Sequence, residues 1–182
     1  MQKLVMIVML SCWSMTLSAQ RLERVKISEE ISMKVPASFI NMSESERNQK
    51  YISSRVPIAM FTNEDRTVDI GINENSTRWG PGDLEILKDF YKANIMGLHN
   101  EVTFVKETIE EVADRQFIVF EFTSKVYKED SFNKNAVSKY SYIQYTLFNE
   151  KVLLFNFTAP LRYRQQWEPI ARDVMASVRI RP

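Results

Sequence analysis

Two segments of this chain, Phe117-Ile118-Val119-Phe120-Glu121-Phe122 and Val152-Leu153-Leu154-Phe155-Asn156-Phe157, are largely apolar on both of their alternating faces. Successive side chains of a strand point to opposite sides, so each of these strands must bury both. A strand of that kind lies in the middle of a sheet with cover above and below. Helices are expected to supply the cover. The composition therefore demands a layered arrangement and excludes a sheet with one solvated face.

The remaining elements follow from periodicity. Ile31, Met33 and Val35 alternate with Ser32 and Lys34 up to Pro36 and predict a first strand, whereas Gln20 to Lys26 reads as a polar, basic lead-in. Ser43-Glu44-Ser45-Glu46 is a capping box that opens a short surface helix toward Ser53. Ile58-Ala59-Met60-Phe61 and then Val68, Ile70 and Ile72, joined by the polar Asn63 to Arg66, predict a hairpin. After Trp79-Gly80-Pro81-Gly82, Asp83 is expected to N-cap a helix. Its buried stripe is Leu84, Leu87, Tyr91, Ile95 and Leu98, widened by Ile86 and Phe90, with Gly97 as a left-handed terminator. Four strands are expected next, at Val102 to Lys106, Gln116 to Thr123, Lys139 to Phe148 and Val152 to Thr158, with Lys128 to Ser138 as an exposed hairpin loop. Trp167, Ile170, Ala171, Val174 and Val178 mark a final helix, whose regular part Pro169 is expected to delay until about Glu168.

The first residues read as a secretory leader. Lys3 precedes an apolar run, Leu4 to Leu10, too short to span a bilayer, and Ala19 is a small residue suited to cleavage before Gln20. Residues 1–19 are thus expected to be a signal peptide and 20–182 one domain in the periplasm or secreted. Met9-Leu10-Ser11-Cys12 is a degraded lipobox, so lipidation at Cys12 is the rival route. If Cys12 leaves with the leader, no cysteine remains and neither a disulfide nor a thiol nucleophile is available. The 24 Lys and Arg face 23 Asp and Glu, and Lys3 is the only charge ahead of Gln20, so the mature domain is balanced and nucleic acid is not its partner of choice. No later stretch is long and apolar enough to form a transmembrane segment.

The order of elements, with Met33-Lys34-Val35-Pro36 near the start and Ala176-Ser177-Val178-Arg179-Ile180 at the end of the last helix, resembles the PsbP-like α/β/α sandwich. That group includes an extrinsic photosystem subunit, a small Ran-binding import factor and many exported bacterial proteins of unknown function. Leu17-Ser18-Ala19-Gln20 and Phe39-Ile40-Asn41-Met42-Ser43 look like segments of small exported Bacteroidetes proteins. The resemblance implies an α+β fold, an antiparallel, twisted sheet flanked by helices. It also implies binding or assembly rather than catalysis. The photosystem subunit's metal and partner contacts do not carry over, because no stretch here matches them residue by residue, and the Ran-binding surface does not carry over for the same reason.

Candidate chemistry is sparse. His99 is the sole imidazole and is expected in a loop after a helix, which leaves no triad and no closed zinc site. Glu107, Glu110, Glu111 and Asp114 read as a solvated acidic turn matching no calcium loop, and Asn73-Glu74-Asn75 reads the same way. Tyr140, Tyr142 and Tyr145 suggest an aromatic platform, but Tyr140 and Tyr142 share one face and Tyr145 takes the other, so part of the set lines the core. Arg78, Trp79 and Asp83, at a strand-to-helix turn, are the expected partner or ligand surface; the competing expectation folds Trp79 onto the core.

The expected function is an exported, non-enzymatic binding or assembly module of the bacterial cell envelope with a protein partner there and no cofactor. The alternatives are a small-ligand or glycan carrier with a pocket between sheet and helix near Trp79 and, less favoured, a carboxylate-based hydrolase. N-terminal sequencing of the exported protein is expected to begin at Gln20; recovery of Met1, or of lipid on Cys12, contradicts the leader reading.

Overall fold

A computed structural model describes residues 20–50, 56–127 and 136–181. In chain order the elements are β1 (Leu22–Lys26), β2 (Ile31–Pro36), β3 (Ile40–Asn41), α1 (Glu44–Lys50), β4 (Ala59–Thr62), β5 (Asp69–Ser76), α2 (Leu84–Leu98), β6 (Glu101–Val112), β7 (Arg115–Tyr127), β8 (Ala136–Phe148), β9 (Lys151–Pro160), α3 (Arg164–Ala176) and β10 (Arg179–Ile180). A large antiparallel sheet runs β3-β4-β5-β9-β8-β7-β6, and a small one runs β1-β2-β10. The two strands with doubly apolar faces lie in β7 and β9, inside the large sheet as expected, with β8 between them.

Cover comes from different sources on the two sides. Leu84, Leu87 and Ile95 of α2 pack on Ile118, Phe120, Phe122 and Tyr145. On the other side Trp167, Ala171 and Val174 of α3, joined by Ile31, Met33 and Val35 of β2, pack on Phe117, Val119, Phe155 and Phe157. The expectation that helices alone do the covering is corrected: the small sheet shares that face. Its edge strand β1 falls where a polar lead-in is expected, because Leu22 and Val25 are only half-buried and leave a weak alternation.

The two segments that carry the family resemblance meet in space. The Ser177 hydroxyl accepts the Lys34 backbone N–H at 2.7 Å and donates to the Val174 carbonyl at 2.6 Å, while Ile180 pairs with Ile31 in the ladder. The end of α3 is thereby fastened to the start of the domain.

Local chemistry sets the element ends. The Ser43 backbone N–H donates to Glu46 at 2.8 Å and the Glu46 backbone N–H donates back to the Ser43 hydroxyl at 3.3 Å, completing the capping box of α1. These bonds, with Arg66 at 2.6 Å, hold the Glu46 carboxyl down to about 2. The end of α1 predicted near Ser53 lies outside the described residues, as does most of the Lys128 to Ser138 loop. Strands β6 and β7 are joined by Ala113-Asp114 and strands β8 and β9 by Asn149-Glu150, both pairs at positive φ, the geometry of two-residue hairpin turns.

Several expectations are corrected at these ends. Strand β6 continues through the acidic segment to Val112, because Glu107 and Glu111 take one face and Glu110 the other, so the three glutamates decorate an edge strand and, of the four acids, Asp114 alone lies in the turn. Asn73-Glu74-Asn75 likewise belongs to a strand, paired with β9. Helix α3 begins at Arg164, led in by the 3-10 turn Leu161–Tyr163. Pro169 is accommodated inside it, in the second turn. Gly97 lies within α2, and no described glycine has positive φ. Leu98, Ile86 and Phe90, placed on the buried stripe, are exposed at 74%, 60% and 50%. The core-facing arc of α2 is narrower than its apolar arc.

One charged cluster lies inside the layers. Glu121 of β7 is 1% exposed and accepts Tyr140 Oη at 2.9 Å, Arg172 Nη2 at 2.9 Å and Arg172 Nε at 3.2 Å. Glu168 grips the same guanidinium at 2.6 Å. Burial, followed by the neighbouring Glu121 charge, pushes the Tyr140 hydroxyl far above its ordinary value, so it remains a donor. Arg172→Ala strips a buried carboxylate of its cation and is expected to cost about 2 kcal/mol in urea unfolding. In a Glu121→Gln background the same substitution is expected to cost less than half as much. Equal cost in both backgrounds contradicts the pairing.

Candidate functional site

A cleft of about 740 Å³ opens at one end of the large sheet. One wall is the turn after β5, Thr77 to Pro81; the other is the start of β7 at Arg115 and the β8–β9 hairpin from Leu147 to Lys151. The walls are tied together by the Thr77 backbone N–H, which donates to the Glu150 carbonyl at 2.8 Å. The hairpin turn is therefore part of the site's frame.

On the first wall the Trp79 backbone N–H donates to Thr77 Oγ1 at 3.1 Å, and the Gly80 N–H donates to Asp83 Oδ2 at 2.7 Å. Trp79 remains 38% exposed and lines the cleft instead of folding onto the core. Arg78 is exposed beside it and has no hydrogen bond or ion pair among the described residues. On the second wall Arg115 donates Nη1 to the Leu147 carbonyl at 3.1 Å, and its guanidinium lies 5.0 Å from the Phe148 ring centre. Lys151 reaches Glu74 at 3.0 Å.

Of the three residues expected here, Arg78 and Trp79 come together in the cleft and Asp83 does not. Asp83 closes the 3-10 turn Pro81–Asp83, accepting the Gly80 N–H, and makes no side-chain cap to α2. Its role is to hold the turn that presents Trp79. Arg115 and Lys151 are the residues that sequence reasoning missed. They reach the cleft only through strand pairing, and nothing local to either marks it.

The other candidates fall elsewhere. Tyr140, Tyr142 and Tyr145 are all buried, Tyr145 stacked on Tyr91 at 3.8 Å, so they form core and no platform. His99 caps α2, its Nδ1 lying 2.8 Å from the Ile95 carbonyl. Among the acidic segment's residues, Glu107 pairs with Lys92 at 2.8 Å on the α2 side, while Glu110 meets Lys106 and Tyr142 on the opposite side. The space between α2 and the sheet, where a pocket is expected by the carrier reading, is filled by Leu84, Leu87, Tyr91 and Tyr145.

Solved structures share this architecture. CyanoP, the cyanobacterial PsbP of Synechocystis sp. PCC 6803, aligns with a TM-score of 0.63 at 10% identity, over 91% of this chain and 95% of its own. The chain has a PsbP-like fold. LpqN of Mycobacterium tuberculosis, described as involved in cell envelope biogenesis, aligns at 0.55 with 12% identity over 89% of this chain and 91% of its own. A Pseudomonas aeruginosa protein of unknown function, PA94, aligns at 0.50 with 10% identity over 88% and 98%. No family model matches the chain, and no curated protein matches it. At these identities the PsbP-like likeness is one of backbone, and the cleft residues belong to this chain's own sequence.

The two walls make opposite demands on substitution. Asp83→Ala leaves the Gly80 N–H without its acceptor and is expected to cost about 1 kcal/mol and to make Trp79 more quenchable by acrylamide. Arg78→Gln, with no partner to lose among the described residues, is expected to stay within about 0.5 kcal/mol of the parent. The reverse order in thermal unfolding contradicts these roles.

Proposed function

We propose that this PsbP-like chain is an exported, non-enzymatic module that binds a protein of the bacterial cell envelope through the cleft at Trp79. The observation that carries this reading is the indole itself: a large apolar ring kept 38% exposed on a hydrogen-bonded turn, beside an arginine that has no partner among the described residues. Tryptophan and arginine are the side chains that most often anchor interfaces, because each brings wide contact area with a fixed geometry. The leader-like first residues support export, and LpqN's description supports an envelope setting.

A carboxylate hydrolase needs two acids facing one space. On one side of β6 Glu107, which shares that face with Glu111, is paired with Lys92, Glu110 lies on the other side, and Glu121 is committed to Arg172 and Tyr140. The carboxyls that do shift, Glu46 and Glu101, shift downward under hydrogen bonds, Glu101 chiefly from Lys125, and neither is thereby suited to donate a proton near neutrality. An enclosing carrier meets the filled space beneath α2.

Proximity crosslinking in the native envelope, read by mass spectrometry, is the direct test. A specific partner is expected with the parent chain and is expected to be lost with Trp79→Ala, while Phe90→Ala on the outer face of α2 retains it. A partner unaffected by Trp79→Ala moves the interface elsewhere; no partner at all removes the reading.

A further inference from the structure

We infer that the cleft recognises a carboxylate, carried on an acidic segment of the partner polypeptide and seated between Arg78 and Arg115 against Trp79. This rests on the binding-module reading and names the chemistry of what is bound.

The lining carries three cations, Arg78, Arg115 and Lys151, against one acid, Glu150. Charge on a cleft wall is usually neutralised by neighbours, and Lys151 follows that rule through Glu74. The two guanidinium groups do not. Arg78 has no partner among the described residues, and Arg115 spends one N–H on the Leu147 carbonyl while no carboxylate approaches it. A guanidinium presents five donors in a planar fork that matches a carboxylate with two parallel hydrogen bonds.

Arg115 is also prepared for this task. The Leu147 carbonyl and the Phe148 ring hold its plane in place, so little side-chain freedom remains to be lost when a ligand arrives. Trp79, Leu147 and Phe148 give the same cleft apolar wall, suited to the methylene stem of a glutamate side chain that ends in the charge. A free inorganic anion has no use for that wall. A polyanion such as nucleic acid gains little long-range attraction from a chain whose 24 Lys and Arg face 23 Asp and Glu.

The test uses the exported protein, isotope-labelled, titrated in NMR spectra with a short acetylated and amidated peptide of alternating Glu and Ser. The control is the peptide in which every Glu is Gln. The Glu peptide is expected to shift Arg78, Arg115 and the Trp79 indole, to weaken with added sodium chloride, and to bind about tenfold less tightly to Arg78→Gln. Arg115→Lys, which keeps the charge and loses the fork, is expected to weaken it as well. Equal binding of the Gln peptide, no binding of the Glu peptide, or affinity unchanged in both arginine variants overturns the inference. Saturation of the same residues by inorganic phosphate with no preference for the peptide also overturns it and assigns the cleft to a free anion. A crosslinked partner lost in Trp79→Ala but kept in Arg78→Gln leaves the binding module standing and removes the acidic segment. Peptide binding without any captured partner does the opposite.

Discussion

Strands β7, β8 and β9 have no face they can leave in water, and the rest of the molecule is arranged around that constraint. Phe117 through Phe120 are essentially fully buried, as are Phe155 and Phe157. Fully burying one such side chain is worth about 1.5–3 kcal/mol relative to leaving it exposed, so uncovering either face would forfeit several times that. Two layers must therefore be found for one sheet. Helix α2 supplies one; α3 and the small sheet together supply the other, and the bonds from Ser177 to Lys34 and Val174 make those two behave as a single lid.

Filling both layers has a cost in polar groups, and the structure meets it with a few complete networks. Glu121 is the clearest case: a carboxylate in the middle of an interior strand, facing α3, with Tyr140 and the Nε and Nη2 donors of Arg172 around it. An unpaired charge there would be strongly unfavourable, so the network specifies which turn of α3 sits over which residue of the sheet. Tyr142 is treated similarly, its hydroxyl pushed upward by burial first and by Glu110 second, and donating to that carboxylate at 3.3 Å. The tyrosines thus serve as neutral donors inside the sandwich and are not offered to ligands.

A full interior leaves concave surface to the periphery. The cleft opens where hairpin turns and the Trp79 loop converge at one end of the sheet, and its frame is built from backbone bonds, with Thr77 tied to Glu150 and Gly80 to Asp83. Binding groups on such turns are positioned by a rigid scaffold without being part of its core, which lets them vary independently of it. That arrangement agrees with a PsbP-like backbone shared at 10–12% identity with CyanoP and LpqN, whose cleft residues need not resemble these.

The sequence by itself determined what depends on short-range repetition. The doubly apolar strands, the alternation of Ile31, Met33 and Val35, and the capping box at Ser43 and Glu46 all reflect chemistry within a few residues, and so does the α+β class. Tertiary structure decided what depends on pairing across the chain. Strand β1 exists because β2 offers it a ladder, and β6 runs on through its glutamates because β7 is long enough to pair with all of it. Pro169 is tolerated because α3 is already started by Arg164 and pinned on the sheet through Trp167 and Arg172. Arg115 and Lys151 join Trp79 only through the register of β7, β8 and β9, a long-range relation that no local pattern encodes. Local propensity acts over one or two turns or strands, whereas a site of this kind is assembled by contacts between residues far apart in the chain.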